Sequence, residues 1–109
     1  MKNKIKTLKS NYQIKQLFKN GKTKKTKDFV LKYQKNKIGD LQFAISVNKK
    51  VFRTAVLRNQ VKRQIRQIIR SFNQIKPIDM LVIVLNNYIN NKFEINKKNI
   101  TNIYNQIKE

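Results

Sequence analysis

The segment from Met80 to Leu85 constrains the fold more than any other part of the chain. Every residue in it is apolar (Met-Leu-Val-Ile-Val-Leu), so both faces of a strand formed here would be hydrophobic. A strand without alternation of polar and apolar side chains is normally covered on both faces, and such strands are typical of parallel pairing. The segment therefore predicts an interior strand of a sheet, covered on both sides and with a parallel neighbour.

Two further strands are predicted in the first half of the chain, at residues 29–34 and 41–48, joined by a turn from Asn36 to Asp40. In the second of them apolar residues alternate with small polar ones. One face therefore belongs to the core, and the other is either exposed to solvent or the floor of a cleft. The preceding segment, Lys22 to Lys27, is rich in lysine and is predicted to be a basic loop, either solvated or in contact with a polyanion.

Helices are predicted on either side of these strands. Ser10 and Gln13 have the spacing of a capping box and Gly21 suits a helix end, which indicates a short amphipathic helix over residues 11–19. A C-terminal helix is indicated by apolar residues at helical spacing: Ile100, Ile103, Tyr104 and Ile107. With the arginine-rich helix described below, the predicted order is α-β-β-α-β-α, with room for a further short strand. Residues 1–109 are expected to form a single α+β domain.

The charge of the chain predicts a polyanionic partner. Lys and Arg number 26 against five acids, which gives a formal charge of +21. A folded monomer with this charge repels itself, and a basic surface of this kind is typical of nucleic-acid binding. An AT-rich genome would raise the lysine content without any function, but it would not explain the shortage of Asp and Glu.

Several kinds of chemistry are excluded by composition. The chain has no Cys and no His, which removes thiol nucleophiles, Cys-type zinc sites and histidine acid–base catalysis. The acids are scattered, so neither catalytic residues nor a protein-held metal are expected: Asp28, Asp40, Asp79, Glu94 and Glu109. The start of the chain is too polar for a signal peptide and no segment approaches membrane-spanning length, so a cytoplasmic protein is expected.

All arginines of the chain lie in one short region. They are Arg53, Arg58, Arg63, Arg66 and Arg70, whereas every other cation is lysine. In so lysine-rich a composition, arginine is expected where its planar fork is needed to grip phosphate or to stack on a base. The composition does not favour a protein nuclease, and the arginine cluster instead indicates binding of a nucleic acid.

Residues 58–70 can be wound as a helix with three distinct faces. The core face is formed by Val61, Ile65, Ile68, Ile69 and Phe72. The cationic face is formed by Arg58, Lys62, Arg63, Arg66 and Arg70. The neutral face is formed by Gln60, Gln64, Gln67 and Ser71. A solvated helix would interleave acids for pairing, and a membrane-surface helix would leave the interior strand uncovered, so the cationic face predicts an RNA or other polyanion partner.

These residues resemble the signature of the bacterial ribonuclease P protein component. The matching segments are Ser46-Val47-Asn48-Lys49-Lys50 and the stretch from Ala55 to Arg66, Ala-Val-Leu-Arg-Asn-Gln-Val-Lys-Arg-Gln-Ile-Arg. The family pattern is S-V-S-K-K followed by A-V-x-R-N-R-x-K-R-x-x-R. The resemblance extends upstream through Leu17-Phe18-Lys19 and downstream to Asp79 and the apolar strand.

The resemblance implies an α/β sandwich with a left-handed βαβ crossover whose helix carries the arginines. It also implies a subunit of an endoribonuclease that binds the catalytic RNA and the 5′ leader of precursor tRNA, with cleavage performed by RNA and Mg²⁺. The expected RNA-binding residues are Lys49, Lys50, Arg53, Arg58, Asn59, Lys62, Arg63, Arg66 and Arg70. The expected leader cleft contains Phe18, Lys32 and Ile14. No protein partner and no membrane are implied.

The chain departs from the family pattern at four places. Gln60 stands where the family usually has Arg. Ile14 and Lys32 stand where the family commonly has a cleft Phe and a strand Tyr. The gap from Val51 to Thr54 is one residue longer than common and lacks the usual glycine. Two of these changes replace base stacking, which contributes about 1–3 kcal/mol per base, with an aliphatic side chain and a charge directed at the RNA backbone.

Two alternative classes of RNA- or DNA-binding protein remain. A ribosomal protein or another rRNA-binding structural protein would share the charge and the core, but would not need the pattern from Lys49 to Arg66. A helix-turn-helix regulator requires two adjacent helices, whereas here predicted strands separate them.

Overall fold

The computed structural model describes residues 4–108, which form one five-stranded sheet with helices on both faces. The strands are β1 (Ile5–Thr7), β2 (Lys22–Lys25), β3 (Phe29–Lys35), β4 (Leu41–Val47) and β5 (Ile78–Val84). The helices are α1 (Asn11–Asn20), α2 (Ala55–Arg70) and α3 (Phe93–Gln106), with a 3₁₀ helix at Asn86–Asn90. The strand order in the sheet is β1-β4-β5-β3-β2.

Strand β5 lies at the centre of the sheet, as the apolar run from Met80 to Leu85 predicts. It pairs parallel to β4 and antiparallel to β3. Met80 and Val82 face the core beneath α2 and α3, whereas Leu81 packs in a second cluster with Leu17 of α1. Full burial of one such side chain contributes roughly 1.5–3 kcal/mol, so both helical layers are needed to cover this strand.

Helix α2 connects β4 to its parallel neighbour β5 and packs against the sheet through the predicted core face. The buried residues of the helix are Val61, Ile65, Ile68 and Ile69. The mixed α+β fold and the βαβ connection implied by the resemblance are therefore confirmed. The left-handed sense of that crossover stays a prediction.

The predicted basic loop at Lys22 to Lys27 is wrong for its first four residues. Lys22–Lys25 form β2, which pairs antiparallel with β3 at one edge of the sheet. The strand follows α1 directly because the extended backbone of Gly21 ends the helix, whose last hydrogen bond runs from the Gly21 N–H to the Leu17 carbonyl at 2.9 Å. Lysines are well tolerated at a sheet edge, where their charge discourages pairing with another chain.

The remaining differences lie at the ends of elements. A further strand, β1, pairs parallel to β4, and α3 begins at Phe93, well before the apolar repeat that indicates it. The predicted capping of α1 is confirmed, since the Ser10 Oγ accepts the Gln13 N–H at 3.3 Å. Gly21 has an ordinary negative φ; the glycine is needed for space, because a Cβ there would lie 2.5 Å from the Leu17 carbonyl oxygen.

Asp40 joins the short edge strand β1 to the start of β4. Its carboxylate accepts the Lys4 N–H at 2.9 Å and forms an ion pair with the Lys6 Nζ, also at 2.9 Å. The hydrogen bond from Lys6 and then the backbone hydrogen bond from Lys4 lower the pKa of Asp40 below its usual range. A carboxyl group with a lowered pKa in the folded state stabilises the fold only while it is ionised.

Asp40→Asn is therefore expected to reduce stability at neutral pH and to make little difference in strong acid. The contribution of Asp40 is present above the ordinary carboxyl pKa and is lost as pH falls through the lowered pKa of the folded state. The free energy of urea unfolding, measured for both proteins from neutral pH into the acid range, checks this. Parallel pH profiles for the two proteins would contradict the role given to Asp40.

Candidate nucleic-acid interface

A tight turn presents Lys49 and Lys50 between β4 and α2. The Asn48 side-chain oxygen accepts the Lys50 N–H at 2.7 Å, and the Asn48 carbonyl accepts the N–H of Phe52 at 2.9 Å. Phe52 is fully buried and anchors the connection from inside. Both lysines are exposed at the turn.

Helix α2 begins with a side-chain cap. The Thr54 Oγ1 accepts the Leu57 N–H at 3.1 Å, which satisfies one of the free donors of the first turn. In the next turn, Asn59 and Gln60 are exposed. No acid occupies the first turn, so the positive end of the helix dipole is not neutralised by the helix itself and favours an anion nearby.

Arg58 uses part of its guanidinium inside the protein. Its Nη1 donates to the carbonyl oxygens of Phe52 at 2.9 Å and Arg53 at 3.1 Å. This grip fixes the connection that carries the exposed lysines. A guanidinium has five N–H donors, so donors remain for a ligand. Arg58 therefore holds the loop in addition to whatever RNA contact it makes, a role that sequence periodicity does not reveal.

The other predicted cations of α2 form a continuous exposed face. Arg63, Arg66 and Arg70 are exposed and Lys62 is half-buried. The guanidinium of Arg70 lies 6.0 Å from the ring centroid of Phe43. The neutral face turns instead toward the 3₁₀ helix, where Gln64 accepts a hydrogen bond from the Tyr88 hydroxyl at 3.2 Å. The winding predicted from sequence thus matches the side-chain positions.

Most carboxylates of the described chain are removed from this surface by hydrogen bonds. Asp28 is buried and accepts amide hydrogen bonds from Asn87 at 2.8 Å and Asn99 at 3.3 Å. Asp79 accepts one from Asn36 at 3.0 Å. Asp40 is buried beneath its lysine. Among residues 4–108 only Glu94, in the first turn of α3, presents an exposed carboxylate, so the cationic surface meets little internal neutralisation.

A cleft of about 300 Å³ lies between α1 and the sheet face opposite α2. Ile14 and Phe18 line it, and Phe18 is 57% exposed despite its size. The Lys32 Nζ lies 5.9 Å from the Phe18 ring centroid and donates to the Thr23 Oγ1 at 2.8 Å. The structure therefore brings the three predicted cleft residues together.

Sequence reasoning missed four further residues of this cleft: Lys15, Lys19, Ser46 and Leu81. The two lysines do not stand out by residue type in a chain so rich in lysine. The signal that could have identified them is their position, because each directly follows an apolar cleft residue in α1. Ser46 belongs to the outward, small polar face of β4, which the alternation of that strand already marks as a possible cleft floor.

Within residues 4–108, no group of three or more Asp or Glu side chains could hold a metal ion. No helix in the same range is long and apolar enough to cross a membrane.

Comparison with known proteins identifies the family. The family model described as Ribonuclease P matches residues 1–108. The chain belongs to the ribonuclease P protein family. It is 35% identical over 106 residues to the ribonuclease P protein component of Mesoplasma florum, covering 94% of each chain. It is also 35% identical over 111 residues to that of Mycoplasma mycoides subsp. mycoides, covering 99% of this chain and 100% of the other.

Solved structures of the family share the fold. The RNase P protein from Thermotoga maritima matches with a TM-score of 0.83 at 25% identity, covering 94% of this chain and 98% of the other. The RNase P protein of Staphylococcus aureus matches with a TM-score of 0.79 at 26% identity, covering 93% and 95%. These comparisons confirm the resemblance noted in the sequence.

Family membership decides the functional class. The chain is an RNA-binding protein subunit of ribonuclease P, acting in tRNA maturation with a catalytic RNA as its partner, and the RNA performs the cleavage. The ribosomal and helix-turn-helix alternatives are therefore set aside. The cationic α2 surface agrees with binding to such an RNA partner.

Two arginines of α2, Arg58 and Arg66, are expected to respond differently to replacement by lysine. Arg66→Lys should weaken binding of the catalytic RNA about tenfold without changing stability, since one charge-assisted hydrogen bond contributes roughly 1.5–3 kcal/mol. Arg58→Lys should lower both RNA affinity and stability, because an ammonium cannot hold both carbonyls in the same geometry.

Filter binding and urea unfolding of the two variants measure these effects separately. Net charge is unchanged in both, so mere electrostatics predicts no difference. Equal affinity of wild type and Arg66→Lys at moderate salt would show that fork geometry is unimportant there.

Proposed function

We propose that this ribonuclease P subunit binds two RNAs on two surfaces. The α2 surface, with Lys49, Lys50 and the arginines, binds the catalytic RNA. The cleft beside α1 binds the 5′ leader of precursor tRNA. The protein thereby favours precursor over mature tRNA, and it acts in the cytoplasm where these RNAs are made.

The observation that carries the leader assignment is the exposed ring of Phe18 at a cationic cleft. An unpaired strand is bound without strong sequence preference when aromatic rings stack on bases and a positive groove follows the backbone. Phe18 supplies the ring, and Lys15, Lys19 and Lys32 supply positive charge beside it. The floor of the cleft is formed by Ser46 and Leu81, which are uncharged and line the same cleft as the ring.

The cleft offers fewer stacking partners than the family pattern suggests. Ile14 lines it in place of an aromatic, and the Lys32 ammonium is held near the ring by Thr23. Leader binding should therefore depend mainly on backbone phosphates, with one stacked base at Phe18. This arrangement favours leaders of any sequence, since every base has a π face and every linkage a charge.

We infer that the RNA binds the metal ion needed for cleavage. No group of three or more carboxylates within residues 4–108 could hold a metal ion, and Asp28, Asp40 and Asp79 each accept hydrogen bonds from other residues. Mg²⁺ prefers oxygen ligands and retains several waters, and nucleic-acid phosphates commonly complete such sites. Mg²⁺ in the holoenzyme would thus be bound by RNA and substrate phosphates.

Phe18→Ala is expected to reduce the preference of the holoenzyme for precursor over mature tRNA roughly tenfold or more, since one stacked base contributes about 1–3 kcal/mol. Affinity for mature tRNA and for the catalytic RNA should be unchanged. Equilibrium binding of the reconstituted holoenzyme to both tRNAs measures this.

Tyr12→Ala is the matched control for this experiment. Tyr12 is an aromatic of the same helix, is 71% exposed, and does not line the cleft. An equal loss in both variants, or an equal loss for precursor and mature tRNA, would overturn the assignment of the leader to this cleft.

The lysines of α1 are expected to appear in the salt dependence of precursor binding. For single-stranded RNA, log K falls with log salt by about 0.7 per phosphate contacted. Lys15→Gln together with Lys19→Gln should therefore reduce the slope for precursor tRNA by about 1.4 when both lysines contact the leader. The slope for mature tRNA should stay the same. An unchanged slope for precursor tRNA would exclude these lysines as leader contacts.

A further inference from the structure

A second groove, distinct from the cleft and from the cationic face, lies between α2 and the segment that leads into α3. Its volume is about 210 Å³. Leu57 and Val61 of α2 line it on one side, and Tyr88 of the 3₁₀ helix lines it on the other. It opens on the neutral face of α2, and none of the RNA-binding residues predicted from sequence lies on that face.

The polar side chains of this groove are all neutral. Gln60, Gln64, Asn91 and Asn96 line it, and no charged residue does. Hydrogen bonds within the protein use only some of the donors and acceptors of these amides. Gln64 accepts a hydrogen bond from the Tyr88 hydroxyl, and the Asn91 amide donates to the Asn96 oxygen at 3.2 Å. Burial raises the pKa of Tyr88 to about 12, so that hydroxyl remains a neutral donor.

Several amide groups at the groove are left for a ligand. Among residues 4–108 the Gln64 NH₂, the Asn91 side-chain oxygen and the whole Gln60 amide have no hydrogen-bond partner. Donors and acceptors therefore stand together above an apolar floor. The Phe93 ring and the half-exposed Ile89 complete the walls.

Gln60 connects this groove to a neighbouring depression of α2. That depression is lined by Val56, Asn59, Gln60 and the exposed Arg63. A ligand seated in the groove with an attached anion would reach Arg63 across Gln60. Gln60 is also the position where the family pattern usually has arginine, so the amide at this lip is a property of this chain rather than of the pattern.

We propose that the groove binds one unstacked nucleobase of the catalytic RNA, with Arg63 holding an adjacent phosphate. Unpaired bases in structured RNA are recognised by contact with ring faces and by hydrogen bonds to their edges. An amide offers the donor–acceptor pair that a base edge requires. The groove is smaller than the roughly 300–1,000 Å³ of sites for larger ligands, which suits a single base. The inference rests on the RNA-binding function proposed above.

The test is chemical modification of base edges in the RNA–protein complex. Wild-type protein should protect one unpaired base of the catalytic RNA. Gln60→Leu should leave that base reactive and weaken binding about tenfold. The exposed Gln60 amide has no partner within the described chain, so this change removes no internal hydrogen bond. Gln67→Leu is the matched control, because Gln67 is an exposed glutamine of the same helix that does not line the groove.

An abasic residue at the protected position completes a double-mutant cycle. It should weaken binding of wild type and of Gln67→Leu about tenfold, and should have no further effect on Gln60→Leu. If wild type binds the RNA but no protection depends on Gln60, or if the two losses add, the base site is overturned while the proposed function stands. If wild type fails to bind the catalytic RNA, the proposed function itself fails.

Discussion

The burial of β5 on both faces is the constraint from which the two RNA surfaces follow. One face must be covered by α2, which commits the apolar side of that helix to the sheet and leaves its cations outward. The other face is covered by α1, which has 10 residues and spans only part of the sheet. The register of the strands aligns Ser46, Ile83 and Val30 in one row, and the cleft opens beside this incompletely covered region.

Placement of the acids is the second condition for binding. Asp28, Asp40 and Asp79 are each used to hold loops or edge strands in place. Asp28 and Asp40 are buried and Asp79 is half-buried, so few carboxylates face solvent, where they would repel phosphate. The consequence is a folded chain whose positive charges repel one another and are offset by little internal ion pairing, such as that of Lys6 with Asp40. A bound polyanion offsets that repulsion, so RNA binding and folding stability are thermodynamically linked.

Features with a strong local period could be predicted from the sequence, and features that depend on distant partners could not. The central strand, the three faces of α2 and the Ser10 cap follow from residue spacing alone. Strand β2 has no apolar alternation, because Lys22–Lys25 sit at an edge and form a strand only through pairing with β3.

The same distinction applies to the sites. The fork of Arg58 grips the carbonyl of Phe52, a contact that depends on how the loop folds back on the helix. The first turns of α3 carry a buried amide, Asn96, which donates to the Tyr88 carbonyl at 3.2 Å; no hydrophobic repeat marks such a position. Helical periodicity and the family resemblance predict the residues of the two surfaces. That both surfaces depend on β5 is visible only in the three-dimensional structure.

Site-specific photo-crosslinking tests the two-surface account most directly. A photoreactive side chain would replace Phe18 in one variant and Arg66 in another, each assembled with the catalytic RNA and a precursor tRNA. The account predicts that the probe at position 18 crosslinks to the leader and the probe at position 66 crosslinks to the catalytic RNA. Crosslinks from both positions to the same RNA, or with the two RNAs exchanged, would contradict it.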